Sequence, residues 1–301
     1  MPSPPPPNHD GSQVVLVTGA SSGIGRASAR RFAERGATVV LVARDRSALA
    51  EAATEVRAEG AADAVVCPAD VRDEGAVRSV VESTVARFGR LDVVVHAAQV
   101  MAYGRVEEVP AKVFDAVVNT ALHGTANVAR TVLPVFRRQG AGSLVVVSSL
   151  LASVTAPLMG SYVAAKWGQL GLIRVLQQEV RDVPGISVSA VAPGGVDTPI
   201  YFQGASYMGS TGRPPPPVYS PERVARAVVG VVDRPRRLVQ AGFLNPLITA
   251  GFRLLPGVYD LLVGPLLRLG GIARDQVGPT EGNVFSSRPE GNDTHGRWRS
   301  L

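Results

Sequence analysis

The sequence predicts an α/β fold in which a doubly wound parallel sheet of about six or seven strands carries helices on both faces. Short runs rich in valine and leucine alternate along the chain with longer segments of helical period. Parallel strands covered on both faces give such continuous apolar runs, and each needs a crossover helix to reach the next strand. The 301 residues, 46% hydrophobic and 19% charged, are enough to bury one large core. Disordered, collagen-like and coiled-coil proteins are excluded.

The individual elements follow from this alternation. Glycines at 36, 60, 89 and 140 stand just past predicted helix ends, where a left-handed residue commonly ends a helix. No linker or internal repeat interrupts residues 12–241, so we predict one domain there. The predicted strands cover 13–18, 38–43, 64–68, 91–97, 143–147, 186–191 and 238–241. The predicted helices cover 23–35, 46–59, 73–88, a long one within 113–139, 161–182 and 221–233.

Four segments depart from the alternation. Residues 1–11 are rich in proline and lack the apolar stretch of a secretory signal, so we predict a short disordered leader. Residues 199–218 hold many glycines and prolines, a composition typical of lids. Residues 242–273 are apolar, but their uncharged stretches are too short to span a bilayer, and they are interpreted as a lid, a subunit interface or a membrane-resting element. Residues 274–301 are predicted to be a polar, loosely ordered tail.

Charge and cysteine content exclude other classes of protein. The net charge of +6 is mostly due to arginine, since only Lys112 and Lys166 are lysine, and basic residues alternate with acidic ones. No basic stripe with interleaved aromatic residues occurs, so nucleic-acid binding is not predicted. Cys67 is the only cysteine and the four histidines are scattered, so neither an internal disulfide nor a metal site is predicted. We expect a cytoplasmic protein without a transmembrane span.

A glycine-rich turn follows the first predicted strand. Residues 18–25 read TGASSGIG and lead directly into the first helix. Glycines let the backbone approach a pyrophosphate, whose charge is met by the unpaired amides at the helix start. Three glycines at a fixed spacing also arise by chance, so the position after the first strand is what distinguishes a dinucleotide site from an ordinary turn.

Two charged residues follow the second and third strands, at the same edge of the predicted sheet. A dinucleotide-binding fold reads the adenosine ribose at the position of Arg44, where a guanidinium suits a 2′-phosphate. NADP is therefore favoured over NAD, the alternative being a solvated arginine beside Asp45. Asp70 and Val71 are placed near the adenine, although Asp70 would look similar as a helix N-cap.

The motif with the most specific chemistry is Tyr162 and Lys166, preceded by Ser149. The first two are four residues apart on one predicted helix and share a face, and about 0.04 such pairs are expected by chance. Ser149 leaves the carboxyl end of the fifth strand, where sites on such sheets collect. We expect the lysine to lower the phenol pKa by about 2–3 units. Such a tyrosine can exchange a proton with an alcohol or carbonyl as hydride is transferred, while Ser149 polarises the oxygen. The alternative is a surface pair on a helix.

With these motifs in this order, the chain resembles the short-chain dehydrogenase/reductase family over residues 12–241. The resemblance includes the segment PGGVDT at 193–198, which in the family holds the nicotinamide end of the cofactor. It implies a Rossmann-like seven-stranded sheet and an NADP-dependent oxidoreductase acting on a secondary alcohol or ketone. It also implies that Ser149, Tyr162 and Lys166 are catalytic. The predicted cofactor contacts are Gly19, Ser21, Ser22, Gly23, Ile24, Gly25, Arg44, Asp70, Val71, Ala97, Tyr162, Lys166, Pro193, Gly194, Val196 and Thr198.

The chain departs from the family pattern at two places. After the fourth strand the family usually has Asn-Asn-Ala-Gly, whereas residues 96–99 read HAAQ. A helix position that is asparagine in the family is Ala121 here, and Asn119, two residues earlier, should face elsewhere. The family asparagine helps to connect the lysine to solvent through a water, so we expect slowed proton exchange rather than lost catalysis. A non-catalytic NADP-binding sensor or scaffold stays open as an alternative.

The sequence is less informative about the substrate. Several apolar side chains suit a pocket for a hydrophobic carbonyl or alcohol, but they would suit core or lid packing equally well. The apolar segment 242–273 leaves open a peripheral membrane reductase of a lipid-like substrate. The expected partners are a small-molecule substrate and further copies of the chain, as a homo-oligomer. The candidate pocket residues are Met101, Tyr103, Leu150, Leu151, Tyr201, Phe202 and Tyr207.

Overall fold

Parallel strands connected by helices form the centre of the molecule. A computed structural model of the chain describes residues 12–288 and 291–298, so the predicted leader lies outside the described residues. The strands are β1 (Val14–Thr18), β2 (Thr38–Ala43), β3 (Asp63–Pro68), β4 (Val93–His96), β5 (Ala102–Tyr103), β6 (Gly142–Val147), β7 (Ile186–Pro193), β8 (Gly195–Val196), β9 (Ala205–Ser206), β10 (Val218–Tyr219) and β11 (Leu238–Ala241).

Seven of these strands pair in parallel in the order β11-β7-β6-β4-β1-β2-β3. The predicted fold class is therefore confirmed, and each predicted strand lies within a few residues of the observed one. The shorter strands form two separate parallel pairs, β5 with β9 and β8 with β10. Between β1 and β4 the chain changes direction across the sheet, which opens a crevice at the carboxyl ends of these strands.

Helices cover both faces of the sheet. Successive residues of β1 alternate between the two cores, with Leu16 packed on one side and Val17 on the other. Both faces are buried, which explains the continuous apolar runs in the sequence. The helices are α1 (Gly23–Ala33), α2 (Arg46–Ala58), α3 (Glu74–Phe88), α4 (Ala111–Val118), α5 (Gly124–Gln139), α6 (Gly160–Glu179), α7 (Ile200–Gln203), α8 (Pro221–Asp233), α9 (Asn245–Leu254) and α10 (Pro256–Gly270).

Capping residues account for several of the helix boundaries. The Asp45 and Asp73 carboxylates accept bonds from Ala48 N and Ala76 N, both at 3.1 Å, and so cap α2 and α3. Gly89 and Gly140 have φ of 74° and 73° at the ends of α3 and α5, as their positions in the sequence predicted.

The long helix predicted within 113–139 corresponds to α5, but the helical region begins earlier, at α4, and is interrupted. Helices α4 and α5 are separated by a π-helical turn, Asn119–His123, in which the backbone makes wider hydrogen-bonded turns. The turn packs against α6, and Ala121 at its centre is fully buried. The irregular backbone therefore lies beside the helix that carries Tyr162 and Lys166.

Helices α9 and α10 expose many apolar side chains. Leu254, Leu261 and Leu269 are 76%, 74% and 80% exposed, and further exposed leucines and valines lie beside them. Among the helices of the described residues, none is both long and apolar enough to cross a membrane. Segment 242–273 is thus a helical pair with an uncovered apolar surface.

The final described segments, 281–288 and 291–298, return to the crevice, and we call them the C-terminal arm. Backbone bonds join Asn283 N to Gln203 O at 2.8 Å and Gly23 N to Asp293 O at 2.9 Å. Val284 is completely buried in an apolar cluster with Met101 and Ala205. The expectation of a loosely ordered tail is therefore wrong for these residues, because specific backbone and side-chain contacts dock them.

Candidate active site

One cavity at the carboxyl edge of the sheet collects the predicted functional residues. It runs from the end of β2 past the turn after β1 to the start of α6. All the predicted cofactor contacts, together with Ser149, line it. Since they come from seven separate parts of the chain, only the fold brings them together.

Two glycines of the turn after β1 are required by the local geometry. Gly19 has φ of +70°, and a Cβ there would lie 2.7 Å from Ala98 N at the end of β4. A Cβ on Gly25 would lie 2.1 Å from the Gly19 oxygen. Neither neighbour can move easily because both are backbone atoms. The glycines thus form a tight cradle at the start of α1, which fits the pyrophosphate of a dinucleotide.

The 193–198 segment lies opposite this turn. A Cβ on Gly23 would lie 3.1 Å from Thr198 Cγ2, so the two segments are in close proximity. Asn245 Nδ2 donates to Ala192 O at 3.0 Å and so anchors the end of β7 to the start of α9. The segment and the glycine turn form the two sides of the cavity.

Arg44 and Asp70 lie at the other end of the cavity but have different partners. Arg44 is half-buried, and burial lowers its pKa. Its Nη2 and Nη1 donate to the carbonyl oxygens of Asn283 and Val284 at 2.6 and 3.1 Å. Asp70 accepts from Arg72 through both oxygens, while Asp73 is the N-cap of α3. Burial alone would raise the pKa of Asp70, but the hydrogen bonds from Arg72 and the charges of Arg72 and Arg44 more than offset it, so this pKa is lowered.

Ser149, Tyr162 and Lys166 lie together at the inner end of the cavity. Tyr162 and Lys166 are 7% and 2% exposed, and Lys166 Nζ lies 5.6 Å from the centre of the Tyr162 ring. Ser149 is hydrogen-bonded to the Tyr162 side chain and also accepts from Leu151 N at 3.1 Å. The two α6 side chains share a face, as their spacing predicted.

The pKa of Tyr162 has the opposite direction from that expected. Burial raises the pKa of Tyr162 to about 12, and the hydrogen bond with Ser149 offsets only part of this effect. Burial also lowers the pKa of Lys166 to about 7. The loss of hydration therefore outweighs the attraction between lysine and phenolate in the free protein, and the neutral phenol is favoured at neutral pH.

A buried glutamine joins Lys166 to the π-helical turn. Lys166 Nζ donates to Gln169 Oε1 at 3.0 Å and to Val147 O at 3.1 Å. Gln169 Nε2 donates in turn to Ala121 O at 3.2 Å and to Thr125 Oγ1 at 2.8 Å. The backbone of Ala121 is thus connected to the lysine although its side chain carries no amide. Sequence reasoning missed Gln169, which its spacing of three residues from Lys166 on one helix could have identified.

The residues at and after the end of β4 that depart from the family pattern have local hydrogen-bond partners. The His96 ring is buried, its Nδ1 is 2.8 Å from Thr18 Oγ1, and burial lowers its pKa to about 3. His96 is therefore neutral at physiological pH and adds no charge behind Lys166. Gln99 Nε2 donates to Val100 O at 2.8 Å, while its Oε1 is buried without a partner.

The apolar candidates divide into two groups. Met101, Tyr103, Leu150, Leu151 and Tyr201 line the cavity near Tyr162. Phe202 and Tyr207 do not line it, which for these two residues favours the alternative of packing elsewhere. The Phe202 ring instead packs on Trp298, with 5.9 Å between ring centres.

The cavity has a further wall that the sequence did not reveal. The C-terminal arm contributes Asn283, Ser287, Arg288 and Asn292 to its lining. The arm lacks any regular hydrophobic period, and many of its contacts use backbone atoms, so side-chain patterns carried no signal for it.

Comparisons with known proteins agree with this geometry. A family model described as short chain dehydrogenase matches residues 13–204. An uncharacterised oxidoreductase YxnA of Bacillus subtilis is 31% identical over 258 residues, covering 85% of this chain and 72% of the relative. The 11-beta-hydroxysteroid dehydrogenase 1A of Arabidopsis thaliana is 33% identical over 240 residues, which cover 75% of this chain and 67% of the relative.

Solved structures show the same similarity. A short-chain dehydrogenase from Streptomyces avermitilis superposes with a TM-score of 0.71 at 28% identity, covering 84% of this chain and 95% of the other. An alcohol dehydrogenase from Thermococcus sibiricus, complexed with 5-hydroxy-NADP, superposes with a TM-score of 0.66 at 30% identity. The match covers 76% of this chain and 94% of the other. The chain therefore belongs to the short-chain dehydrogenase/reductase family and is an NAD(P)-dependent oxidoreductase.

Proposed function

We propose that this chain uses NADP(H) to interconvert a secondary alcohol and a ketone on an apolar substrate. The observation that carries the proposal is the single cavity that holds Ser149, Tyr162 and Lys166 at one end and Arg44 at the other. This arrangement provides a proton donor beside an apolar wall and a cation where a dinucleotide presents its adenosine ribose.

The preference for NADP is supported by Arg44. In the part of the chain that the structure describes, Arg44 forms no ion pair with a carboxylate, since Asp70 is bound by Arg72. Its bonds to two carbonyl oxygens orient the guanidinium without neutralising it. A 2′-phosphate would supply the missing negative charge. The Thermococcus sibiricus structure, with 5-hydroxy-NADP, is consistent with this preference.

When bound, the cofactor supplies or accepts the hydride, and the protein manages the proton. In the reducing direction the Tyr162 hydroxyl donates its proton to the carbonyl oxygen, while Ser149 donates a hydrogen bond to the same oxygen. A phenol with pKa of about 12 is fully protonated at neutral pH, which favours reduction. Lys166, when protonated, stabilises the phenolate that remains, and Gln169 and Val147 O hold its Nζ in place.

The substrate class follows from the cavity wall near Tyr162. Met101, Leu150, Leu151 and Tyr201 line the same cavity as the proposed proton donor, and their largely apolar side chains suit a hydrophobic compound. The Arabidopsis thaliana relative, a hydroxysteroid dehydrogenase by name, supports an apolar substrate. We therefore place the substrate among hydrophobic ketones and secondary alcohols.

Titration with NADPH and NADH, followed by a panel of ketones at saturating cofactor, tests the proposal. We expect tighter binding of NADPH than of NADH and the fastest oxidation of NADPH with bulky apolar ketones. Equal affinity for both dinucleotides would contradict the NADP assignment. Binding of NADPH without turnover of any ketone or alcohol would favour the sensor or scaffold instead.

A second candidate function is supported by the uncovered surface of α9 and α10. Exposed leucines on both helices lie beside the basic residues Arg253 and Arg268, a combination that suits the surface of an anionic membrane. The enzyme would then draw an apolar substrate directly from lipid.

Co-sedimentation with vesicles tests the membrane candidate. The wild type should sediment with anionic vesicles, and the triple variant Leu254→Gln, Leu261→Gln, Leu269→Gln should not. Val106→Gln is the matched control, since Val106 is 65% exposed elsewhere on the surface. A different result would contradict this candidate. If the wild type does not sediment but forms an oligomer in solution, and the triple substitution dissociates that oligomer, the surface joins copies of the chain.

A further inference from the structure

The C-terminal arm contacts the two groups of the cavity that are most suited to phosphate. Arg44 donates to the carbonyl oxygens of Asn283 and Val284, at 2.6 and 3.1 Å. At the start of α1, Gly23 N donates to Asp293 O at 2.9 Å, and Arg26 Nη1 donates to Asn292 O at 3.2 Å. One arm therefore lies over both the proposed 2′-phosphate site and the proposed pyrophosphate site.

The arm is held there by a dedicated set of contacts. Val284 is buried against the apolar cluster that includes Tyr162. Gln203 Nε2 donates to Asn292 Oδ1 at 3.0 Å, and Trp298 N donates to Asp197 Oδ1 at 3.1 Å. The Trp298 ring also packs edge-on against Tyr201, with 5.7 Å between centres. These contacts dock the arm at both of its described segments.

The arm encloses the cavity and does not fill it. Asn283, Ser287, Arg288 and Asn292 line the same continuous cavity as Arg44 and Tyr162. The carbonyl oxygens of residues 283 and 284 accept from two of the five N–H groups of Arg44, which leaves three donors. Arg44 is thus oriented but still able to bind an anion.

We propose that the C-terminal arm is part of the cofactor site, where the carbonyl groups of Asn283 and Val284 position Arg44 to select a 2′-phosphorylated dinucleotide. This inference rests on the proposed function, because it assigns a role within the NADP site. The bond between Gly23 N and Asp293 O places the arm at the same end of α1 that the pyrophosphate would approach.

Gly282 offers a way to displace the arm without changing any group that contacts the cofactor. It has φ of +56°, and a Cβ there would lie 2.4 Å from Gln203 O and 2.5 Å from Ala205 N. Because both atoms are backbone, Gly282→Ala must force the arm and the 203–205 segment apart. Gly278→Ala is the matched control, since a Cβ at residue 278 meets nothing within 4 Å.

The dissociation constants of NADPH and NADH for the full-length wild type and both variants test the inference. For Gly282→Ala we expect NADPH to bind about tenfold more weakly, with the affinity for NADH changed less than about twofold. Gly278→Ala should match the wild type with both dinucleotides. The selective loss is decisive, because a merely structural effect would weaken both dinucleotides alike.

Three results would overturn the inference. They are unchanged NADPH affinity in Gly282→Ala, equal loss of both dinucleotides, and tighter NADPH binding, which would make the arm a barrier. A wild type that binds neither dinucleotide would refute the proposed function itself, and this inference with it. If the wild type binds NADPH more tightly than NADH and Gly282→Ala has the same affinities, the inference is refuted but the proposed function is not.

Hydrogen exchange of the wild type provides a measurement that does not depend on the folding of a variant. NADPH should slow amide exchange across residues 283–288 by about tenfold, and NADH should slow it less. Equal exchange in the arm with and without NADPH would overturn the inference.

Discussion

Lys166 and Gln169 are joined by a 3.0 Å hydrogen bond from Nζ to Oε1, on one face of α6 and out of contact with solvent. The same glutamine donates to Ala121 O in the π-helical turn. The family pattern places an asparagine at residue 121, and here the connection between lysine and turn is made by a side chain from α6 instead. Gln169 is therefore a positioning residue for Lys166.

Substitution of Gln169 tests this role. Gln169→Leu leaves Lys166 Nζ with only Val147 O as acceptor, and we expect kcat to fall about tenfold. Gln169→Glu keeps an acceptor and adds a negative charge that raises the pKa of Lys166, so activity should persist to higher pH than in the wild type. The kcat–pH profiles of the three proteins provide the measurement. Identical profiles for the leucine and glutamate variants would show that Gln169 only fills space.

Arg44→Ala should change the choice of dinucleotide. Loss of a charge-assisted contact of about 1.5–3 kcal/mol corresponds to a roughly tenfold to hundredfold weaker binding of NADPH, whereas NADH should be almost unaffected. Isothermal titration with both dinucleotides measures the effect. Arg138→Ala, which removes an exposed charge from the end of α5, serves as the control. A parallel loss of both affinities in Arg44→Ala would argue against contact with a 2′-phosphate.

The glycine cradle predicts a contrast between two Gly→Ala substitutions. Gly25→Ala places a methyl group 2.1 Å from the Gly19 oxygen, so we expect a loss of about 2–4 kcal/mol in the free energy of unfolding and weaker NADPH binding. Gly171→Ala adds a methyl in open space on α6 and should stabilise by about 0.5–1 kcal/mol. Urea unfolding of both variants decides. Equal stability of the two would mean that the turn is not tightly packed.

Burial of Lys166 predicts a pH-dependent stability. Its pKa is about 7 in the folded chain and about 10.4 in an unfolded chain. Between these values the unfolded state binds more protons, so the free energy of unfolding rises with pH through this window. Relative to Lys166→Met, the wild type should gain about 2 kcal/mol between pH 7 and pH 9. Urea unfolding of both proteins at each pH tests this, and parallel curves would contradict it.

Much of the fold was predictable because it depends on local patterns. The apolar runs located the seven main strands, and the TGASSGIG segment located the turn after β1. Tyr162 and Lys166 were identified by their spacing on one helix. These signals are carried by side-chain type and by glycine, which a sequence displays directly.

Other features depend on contacts that no pattern records. The arm bonds to Arg44 through carbonyl oxygens of Asn283 and Val284, which any residue would offer. The direction of the Tyr162 pKa depends on how deeply the phenol is buried, and the spacing from Lys166 indicates only their proximity. The π-helical turn likewise depends on packing against α6 and not on an obvious breaker in the sequence.

The most direct test of the account is the comparison of Tyr162→Phe with the wild type. If the Tyr162 hydroxyl transfers the proton, the variant should bind NADPH with unchanged affinity and reduce apolar ketones at least about a hundredfold more slowly. Tyr259→Phe, which removes a hydroxyl on α10 that donates to Thr155 O, should retain full turnover. Turnover by Tyr162→Phe equal to that of the wild type would contradict the central claim that this phenol is the acid of the reaction.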